Sequence, residues 1–465
     1  MARSRAAVIE AATGRVDALN HEGWGVVRGG GAAGEGAAAV RAGKTVFVAG
    51  ALPGELVEYR IRRRERSHDE AELLQVIEPS ADRIEPRCAH FGVCGGCSLQ
   101  HLAPESQLAV KDTQLRETLR RIGKVEPQRW LEPLSDEPWA YRRRARLGAR
   151  YVHARERSMV GFREKMSSYV TDVRRCEVLA EPVGAMVGAL GELVSKLSIR
   201  ERMPQVEVAI GDNLTVLVLR VLVPPSAADR GHLLAFEQAH GVRLLLQAGR
   251  PDQLEPLAGE MPALWYELPQ FGVKLDFRPA DFIQVNGGMN RRLVGQVVEL
   301  MELDGQSEVL DLFCGLGNFT LPLATRARRV VGIEGEAGLI ERARANAVAN
   351  GLGNAVFHVA NLAGEDAAER CLRLAEGGRY SHVLVDPPRT GALDVLPALA
   401  RLAPRRLAYV SCHPGTLARD LGILVSEHGF TLRAAGIVDM FPHTSHVESV
   451  AILDGPGVTG SRKGA

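Results

Sequence analysis

From about residue 290 to the mid-450s, short apolar runs alternate with stretches of helical character, and this alternation restricts the fold more than any other feature of the chain. The runs cover 309–313, 329–334, 356–360, 382–385 and 407–411. Runs of this length, apolar throughout, suit parallel strands covered on both faces. Their alternation with helices predicts a doubly wound α/β sheet. The last part departs from the pattern, because 430–441 and 447–453 read as two strands with no helix between them. An antiparallel pair at one edge of the sheet is expected there.

At 465 residues the chain is too long for one core. Residues 8–80 alternate apolar stretches (45–48, 56–59, 71–77) with glycine-bearing turns, as a small β-barrel does. The tract 29–39, almost all Gly and Ala, reads as a flexible loop between two strands. A helical stretch at 105–122 and a mixed region over 130–275, with strands at 206–210 and 214–223, follow. The expected fold class is α/β plus β. Residues 1–80 form a small barrel, 81–285 a central mixed α/β domain, 286–455 a Rossmann-like domain, and 456–465 a disordered tail. No run of about eighteen apolar residues is present and the N-terminus lacks an apolar leader, so the cytoplasm is the default compartment and no membrane is expected. Seven cysteines are too few for a disulfide scaffold, and in a reducing compartment they serve as ligands, nucleophiles or core.

The segment Asp311-Leu-Phe-Cys-Gly315-Leu-Gly317-Asn318-Phe-Thr lies where a strand ends. Its glycines permit a tight turn and close approach to a ligand at the following helix. The next strand ends at Glu334, whose carboxylate can accept hydrogen bonds from two ribose hydroxyls at the switch point of the sheet. A nicotinamide dinucleotide would use the same device. The third glycine of that fingerprint is absent, however, and the combination with Asp311 is typical of methyltransferases that use S-adenosylmethionine.

Cys412 sits at the corner between the fifth parallel strand and a helix, where the helix N-terminus can lower a thiol pKa. Asp386-Pro-Pro-Arg389 ends the preceding strand at the same edge, and Asp386 offers an acceptor to a polar base edge. Glu448 begins an apolar strand, where burial favours proton acceptance. A thiol paired with a carboxylate suits methylation of uracil, whose C5 is a poor nucleophile. Thiolate addition at C6 makes C5 electron-rich, C5 takes the methyl group, and a base removes the C5 proton so that the cysteine leaves.

Cys88-x5-Cys94-x2-Cys97 on a glycine-rich loop brings three thiolates together, and Cys176 can complete a set of four; spacing alone leaves zinc and iron-sulfur level. Net charge is only +1, yet 141–176 holds ten Arg and one Lys against three acidic residues, and 60–66 holds five Arg around Glu65. Such runs are often solvated faces. Arginines interleaved with Tyr141, Tyr151 and Phe162 point to phosphate contacts and base stacking on RNA.

The stretches DLFCGLGNFTLPLA, VDPPRTGA, SCHPGTLARDL and FPHTSHVESVAIL resemble, in order and spacing, the RNA uracil-5-methyltransferases, and the resemblance covers essentially the whole chain. It implies Cys412 as nucleophile and Glu448 as base, with Gln284, Phe313, Asn318, Glu334, Asn361 and Asp386 contacting cofactor or target base. CAHFGVCGGCSLQH resembles the [4Fe-4S] motif of the ribosomal RNA members, which implies a cluster on Cys88, Cys94, Cys97 and Cys176. DALNHEGWGVVR and GKTVFVAGALPGELV resemble a TRAM domain, an RNA-binding barrel. Transfer-RNA members generally lack both features, while the member acting at uracil 1939 of 23S ribosomal RNA has both, so 23S RNA at that uracil is the first implied partner, with another 23S uracil or a transfer RNA as the alternative, and no protein partner is inferred. The family more often has Asn-Pro-Ala after the catalytic cysteine, where this chain has His413-Pro414-Gly415; His413 either tunes the thiolate or replaces Asn. An iron-sulfur redox protein and a non-catalytic RNA-binding protein are the competing classes.

Overall fold

Alternating burial gives most of the first strands one inward face. In the computed structural model, which describes residues 11–28, 44–250, 253–375 and 380–456, these are β1 (Ala11–Arg15), β2 (Ala18–Leu19), β3 (Gly25–Arg28), β4 (Thr45–Ala49), β5 (Leu56–Arg64) and β6 (His68–Glu78). They form one sheet in the order β1-β5-β6-β4-β3-β2. Its two end strands are joined in the chain by Val16 and Asp17 alone, so the sheet curls until its ends meet. There the Val16 N–H donates to Glu55 O and the Asp17 N–H to Val26 O. Val16, Val27, Val46, Val48, Val57 and Tyr59 fill the interior. The Gly/Ala tract 29–39 and the tail beyond Pro456 lie outside the described residues.

By its contacts the chain divides into two compact units. The first joins residues 1–111 with 164–168 and 441–446, and so holds the curled sheet, the cysteine loop and the start of helix α1 (Pro104–Thr118). The 441–446 segment is fixed by its backbone: His443 O accepts from the Ser98 and Leu99 N–H groups, each at 2.9 Å.

The second unit contains two large sheets. Its first strand, β7 (Arg129–Trp130), precedes β8 (Arg144–Val152), β9 (Arg157–Gly161), helix α2 (Val183–Lys196), β10 (Gln205–Ile210), β11 (Thr215–Arg220), helix α3 (Ala227–His240), β12 (Arg243–Gln247) and β13 (Leu254–Pro256). Six of these strands form a mixed sheet ordered β13-β12-β11-β10-β8-β9. A hairpin, β14 (Leu264–Leu268) with β15 (Val273–Phe277), and helix α4 (Gly287–Leu300) lead into the last region.

That region is the expected doubly wound sheet. Strands β16 (Glu308–Leu312), β17 (Arg329–Glu334), β18 (Ala355–Val359), β19 (His382–Val385) and β20 (Arg406–Ser411) run parallel, with helices α5 (Thr320–Ala324), α6 (Ala337–Ala349), α7 (Ala367–Leu374) and α8 (Leu396–Leu402) between them. After helix α9 (Pro414–Ser426), β21 (Thr431–Val438) and β22 (Glu448–Asp454) form the antiparallel pair. The order is β18-β17-β16-β19-β20-β22-β21-β7. The pair is therefore not the edge: β22 lies against β20, and the short β7 pairs in parallel beyond β21.

Candidate active site

Parallel strands in register end at one side of a sheet, and whatever follows them is delivered there. Leu312 is aligned with Ile333 and with Val385, and Val385 with Tyr409. Phe313, Glu334 and Asp386 consequently emerge side by side, with Asn361 two residues past β18. Phe313 turns the chain with φ of 63°, a left-handed conformation that a bulky residue adopts only under constraint. The constraint is Ile333 O, which accepts from the N–H groups of both Phe313 and Cys314. Gly315 and Gly317 continue the turn at φ of 57° and 97°. The Glu334 carboxylate accepts from the N–H groups of Gly315, Gly335 and Glu336, which fixes it before any ligand arrives. Beneath it the fully buried Asp311 accepts from Thr320 Oγ1 at 2.5 Å. Burial, with Asp386 and Glu334 nearby, pushes the Asp311 carboxyl up to about 8.

Asn318 is held from two directions. Its Oδ1 accepts from Tyr266 OH at 2.9 Å and Asn290 Nδ2 at 2.8 Å, and its Nδ2 donates to Asn290 Oδ1 at 2.9 Å. Gln284 lines a small cavity with Tyr266, Asn290 and Arg143, beside that amide pair. Asn361 is exposed, and its Oδ1 accepts from the Ala363 N–H. Tyr266 and Asn290 escape sequence reasoning because their only signal is a partner far along the chain.

The antiparallel register between β20 and β22 sets Ser411 opposite Ser449, so Cys412 and Glu448 meet at the next step. A hydrogen bond from Ser449 Oγ to Ser411 O closes that end of the ladder. Cys412 is half-buried and Glu448 buried. Burial raises the Glu448 carboxyl to about 8, Asp386 adding to the rise and Arg389 opposing it. Burial likewise brings Asp386 to about 7, although its edge keeps some exposure. The Cys412 thiol differs from the sequence expectation. It is raised, to about 11, by burial and by the charges of Glu448 and Asp386, with Arg389 pulling the other way. The beginning of α9 does not outweigh those neighbours. His413 is the N-cap of that helix: its Nδ1 accepts the Thr416 N–H at 3.2 Å, the task an Asn performs at such a position. Arg389 was legible within DPPR, but its electrostatic reach to both Cys412 and Glu448 was not.

In the first unit, Cys88 and Cys94 are half-buried and Cys97 is buried, and the Gly96 N–H donates to Cys94 Sγ. Cys176, in the second unit, is buried. Four soft sulfur donors suit an iron-sulfur cluster or zinc in kind. Among the described residues, however, no three His, Cys, Asp or Glu side chains gather closely enough to hold a metal ion. The basic run 141–176 is partly paired with carboxylates of the same chain, some of these pairs at the surface. Arg143 pairs with Asp212, Arg146 with Glu207, Arg157 with Asp172 and Arg175 with Glu181. Arg150, Arg155 and Arg163 remain exposed. Among the described residues no helix is long and apolar enough to cross a membrane.

Residues 272–455 match the family described as tRNA (Uracil-5-)-methyltransferase. A 23S rRNA (uracil(1939)-C(5))-methyltransferase of Nitrosococcus oceani is 48% identical over 94% of this chain and 95% of its own length. The enzyme so named from Alkalilimnicola ehrlichii is 49% identical over 88% and 92%. In structure the chain is similar to the Pyrococcus abyssi tRNA (uracil-54, C5)-methyltransferase in complex with S-adenosyl-L-homocysteine, at TM-score 0.70 and 25% identity, over 95% of this chain and 99% of that one. With nearly half its residues shared with such enzymes along almost their whole length, the chain belongs to the family of 23S rRNA (uracil(1939)-C(5))-methyltransferases.

Proposed function

We infer that the protein transfers a methyl group from S-adenosylmethionine to C5 of uracil 1939 in 23S ribosomal RNA, with Cys412 as nucleophile and Glu448 as base. The observation that carries this reading is the β20–β22 register, which pairs a thiol with a buried carboxylate at the carboxyl edge of the sheet. Glu334, with its oxygens already oriented, is the group for the cofactor ribose, and Phe313, Gln284, Asn318 and Asn361 surround the same turn. Bound there, S-adenosylmethionine supplies an electrophilic methyl group. Cys412 loses its proton, for which Asp386 is an acceptor within electrostatic reach, so that Glu448 stays ionised for the later step. Its sulfur bonds to C6 of the uracil, and the displaced electron pair moves onto C5 and O4. C5 takes the methyl group, Glu448 removes the C5 proton, and the electrons left at C5 expel Cys412 from C6. Asp386 is placed to hold a polar edge of the base.

Reaching C5 and C6 requires the nucleotide to leave its stack, at a cost of about a few kcal/mol. The curled N-terminal sheet, taken as a TRAM-like barrel over 1–80, and the exposed arginines of the central region 81–285 are the surfaces for the RNA contacts that offset it; 286–455 is the methyltransferase domain. The sequence resemblance alone assigns Cys88, Cys94, Cys97 and Cys176 to a [4Fe-4S] cluster, for which the described residues show no gathered ligand set and which would take no part in methyl transfer. Ribosomal RNA as substrate places the work in the cytoplasm. Labelling unmodified 23S RNA with methyl-labelled cofactor and mapping 5-methyluridine tests the reading: label at uracil 1939, lost in Cys412→Ala, supports it. Label confined to transfer RNA overturns the substrate, and labelling that survives Cys412→Ala overturns the nucleophile.

A further inference from the structure

Two loops meet at the proposed site, and the helix behind one of them grips the other. The loop from Asp386 to Ala392 follows β19, and α9 follows Cys412. Thr416 Oγ1, with one proton to give, lies 3.2 Å from Arg389 O and 3.1 Å from His413 O, and Arg419 Nη2 donates to Thr390 O at 3.0 Å. The Ala392 N–H donates to Asp420 Oδ2 at 2.8 Å, where Tyr409 OH also donates at 2.6 Å. Arg419 Nε donates to the other oxygen of the same carboxylate at 2.7 Å. Asp420 is fully buried, and these donors satisfy both of its carboxyl oxygens. Gly391 lies against them with φ of 83°, and a Cβ there would fall 2.6 Å from Arg419 Nη2 and 2.7 Å from Asp420 Oδ2. The loop has no room to shift toward α9, and its hydrogen bonds keep it from shifting away.

We propose that Asp420, with Thr416 and Arg419, is a positioning latch for methyl transfer, locking the loop that bears Asp386 and Arg389 to the helix that follows Cys412. This rests on Cys412 and Glu448 being the reacting groups. None of the latch side chains has to touch substrate. The latch acts through Arg389, which makes no ion pair among the described residues and whose charge opposes the proton affinity of both Cys412 and Glu448. Covalent addition and elimination both pass through the arrangement of Arg389, Asp386, Glu448 and the thiol. A loop free to drift would lose the Arg389 charge that favours thiolate.

The test reads the thiol directly. The full-length protein is alkylated with iodoacetamide across a pH series, and Cys412 modification is followed by peptide mass spectrometry. Wild type is compared with Asp420→Asn, Thr416→Val and Gly391→Ala, each also measured for unfolding temperature and for kcat and KM on RNA. Thr416 is partly exposed, so Thr416→Val carries little risk to folding. The latch predicts that Cys412 alkylation moves to higher pH, slowing about threefold at fixed pH for a half-unit shift, with kcat falling more than KM rises. Unchanged alkylation profiles and kcat in the folded variants overturn the latch. Turnover by Cys412→Ala would overturn the underlying site assignment instead, so the two failures are distinguishable.

Discussion

A carboxylate that takes a proton from carbon needs some affinity for it, and burial gives Glu448 that affinity by raising it to about 8. The sign of the pH dependence follows. Only the ionised carboxylate can act as base, so kcat/KM is expected to climb between about pH 6 and pH 9 as Glu448 ionises in the free enzyme. A profile flat over that interval would place the base elsewhere. Replacing Glu448 by Gln keeps the shape of the side chain and removes the base. Cysteine addition then outlives elimination, and an RNA–protein adduct that resists denaturant should accumulate on gels while turnover falls about a hundredfold or more. Both residues were legible in the sequence because each follows or starts an apolar strand at a recognisable motif. The state of the thiol was not legible. A helix N-terminus beside Cys412 argues for a lowered pKa, but Glu448 is 36 positions away in the chain and Asp386 lies on another strand, and their charges with burial reverse the sign.

Among the elements, the parallel strands were readable to within a residue or so, since a run apolar on both faces belongs in a covered sheet. Two pieces were not. Strand β7 is only Arg129–Trp130, too short to show any period, and it pairs with a strand some three hundred residues later. The β14–β15 hairpin alternates as a hairpin should, but nothing in its sequence says that Tyr266 will reach Asn318. Helix α9 shows what His413 does in the fold. The side chain satisfies the Thr416 N–H as an N-cap, with Pro414 opening the helix in the first-turn position proline favours. His413→Asn should therefore leave stability nearly unchanged, whereas His413→Ala should cost about 1 kcal/mol, visible as a lower unfolding temperature. If His413→Asn slowed methylation with stability intact, the imidazole would have a chemical task beyond the cap.

Over the whole molecule, the proposed site sets a pH dependence of stability that its chemistry makes unavoidable. Asp311, Asp386 and Glu448 are raised by burial to about 8, 7 and 8, while the same groups in an unfolded chain ionise near pH 4. Between those limits the folded protein holds protons that the unfolded protein has released. The derivative of unfolding free energy with pH is then negative, and the stability these groups contribute is complete below about pH 4 and lost as pH rises through 7 to 8. Elsewhere the sign is opposite. Burial alone would raise Glu55, but its pairing with Arg83 and two backbone N–H groups lowers it, and Asp229, bonded to Ser198 and Ser226, lies at about 2; both favour folding until pH falls through their folded values. The cofactor-free protein should accordingly be most stable on the acid side of neutrality. Glu448→Gln removes one of the three uphill ionisations, so its unfolding temperature should gain on wild type steadily from about pH 5 to pH 8 and level off above that. A constant difference across that range would mean that Glu448 ionises as easily folded as unfolded. In that event burial would not supply the proton affinity that elimination requires.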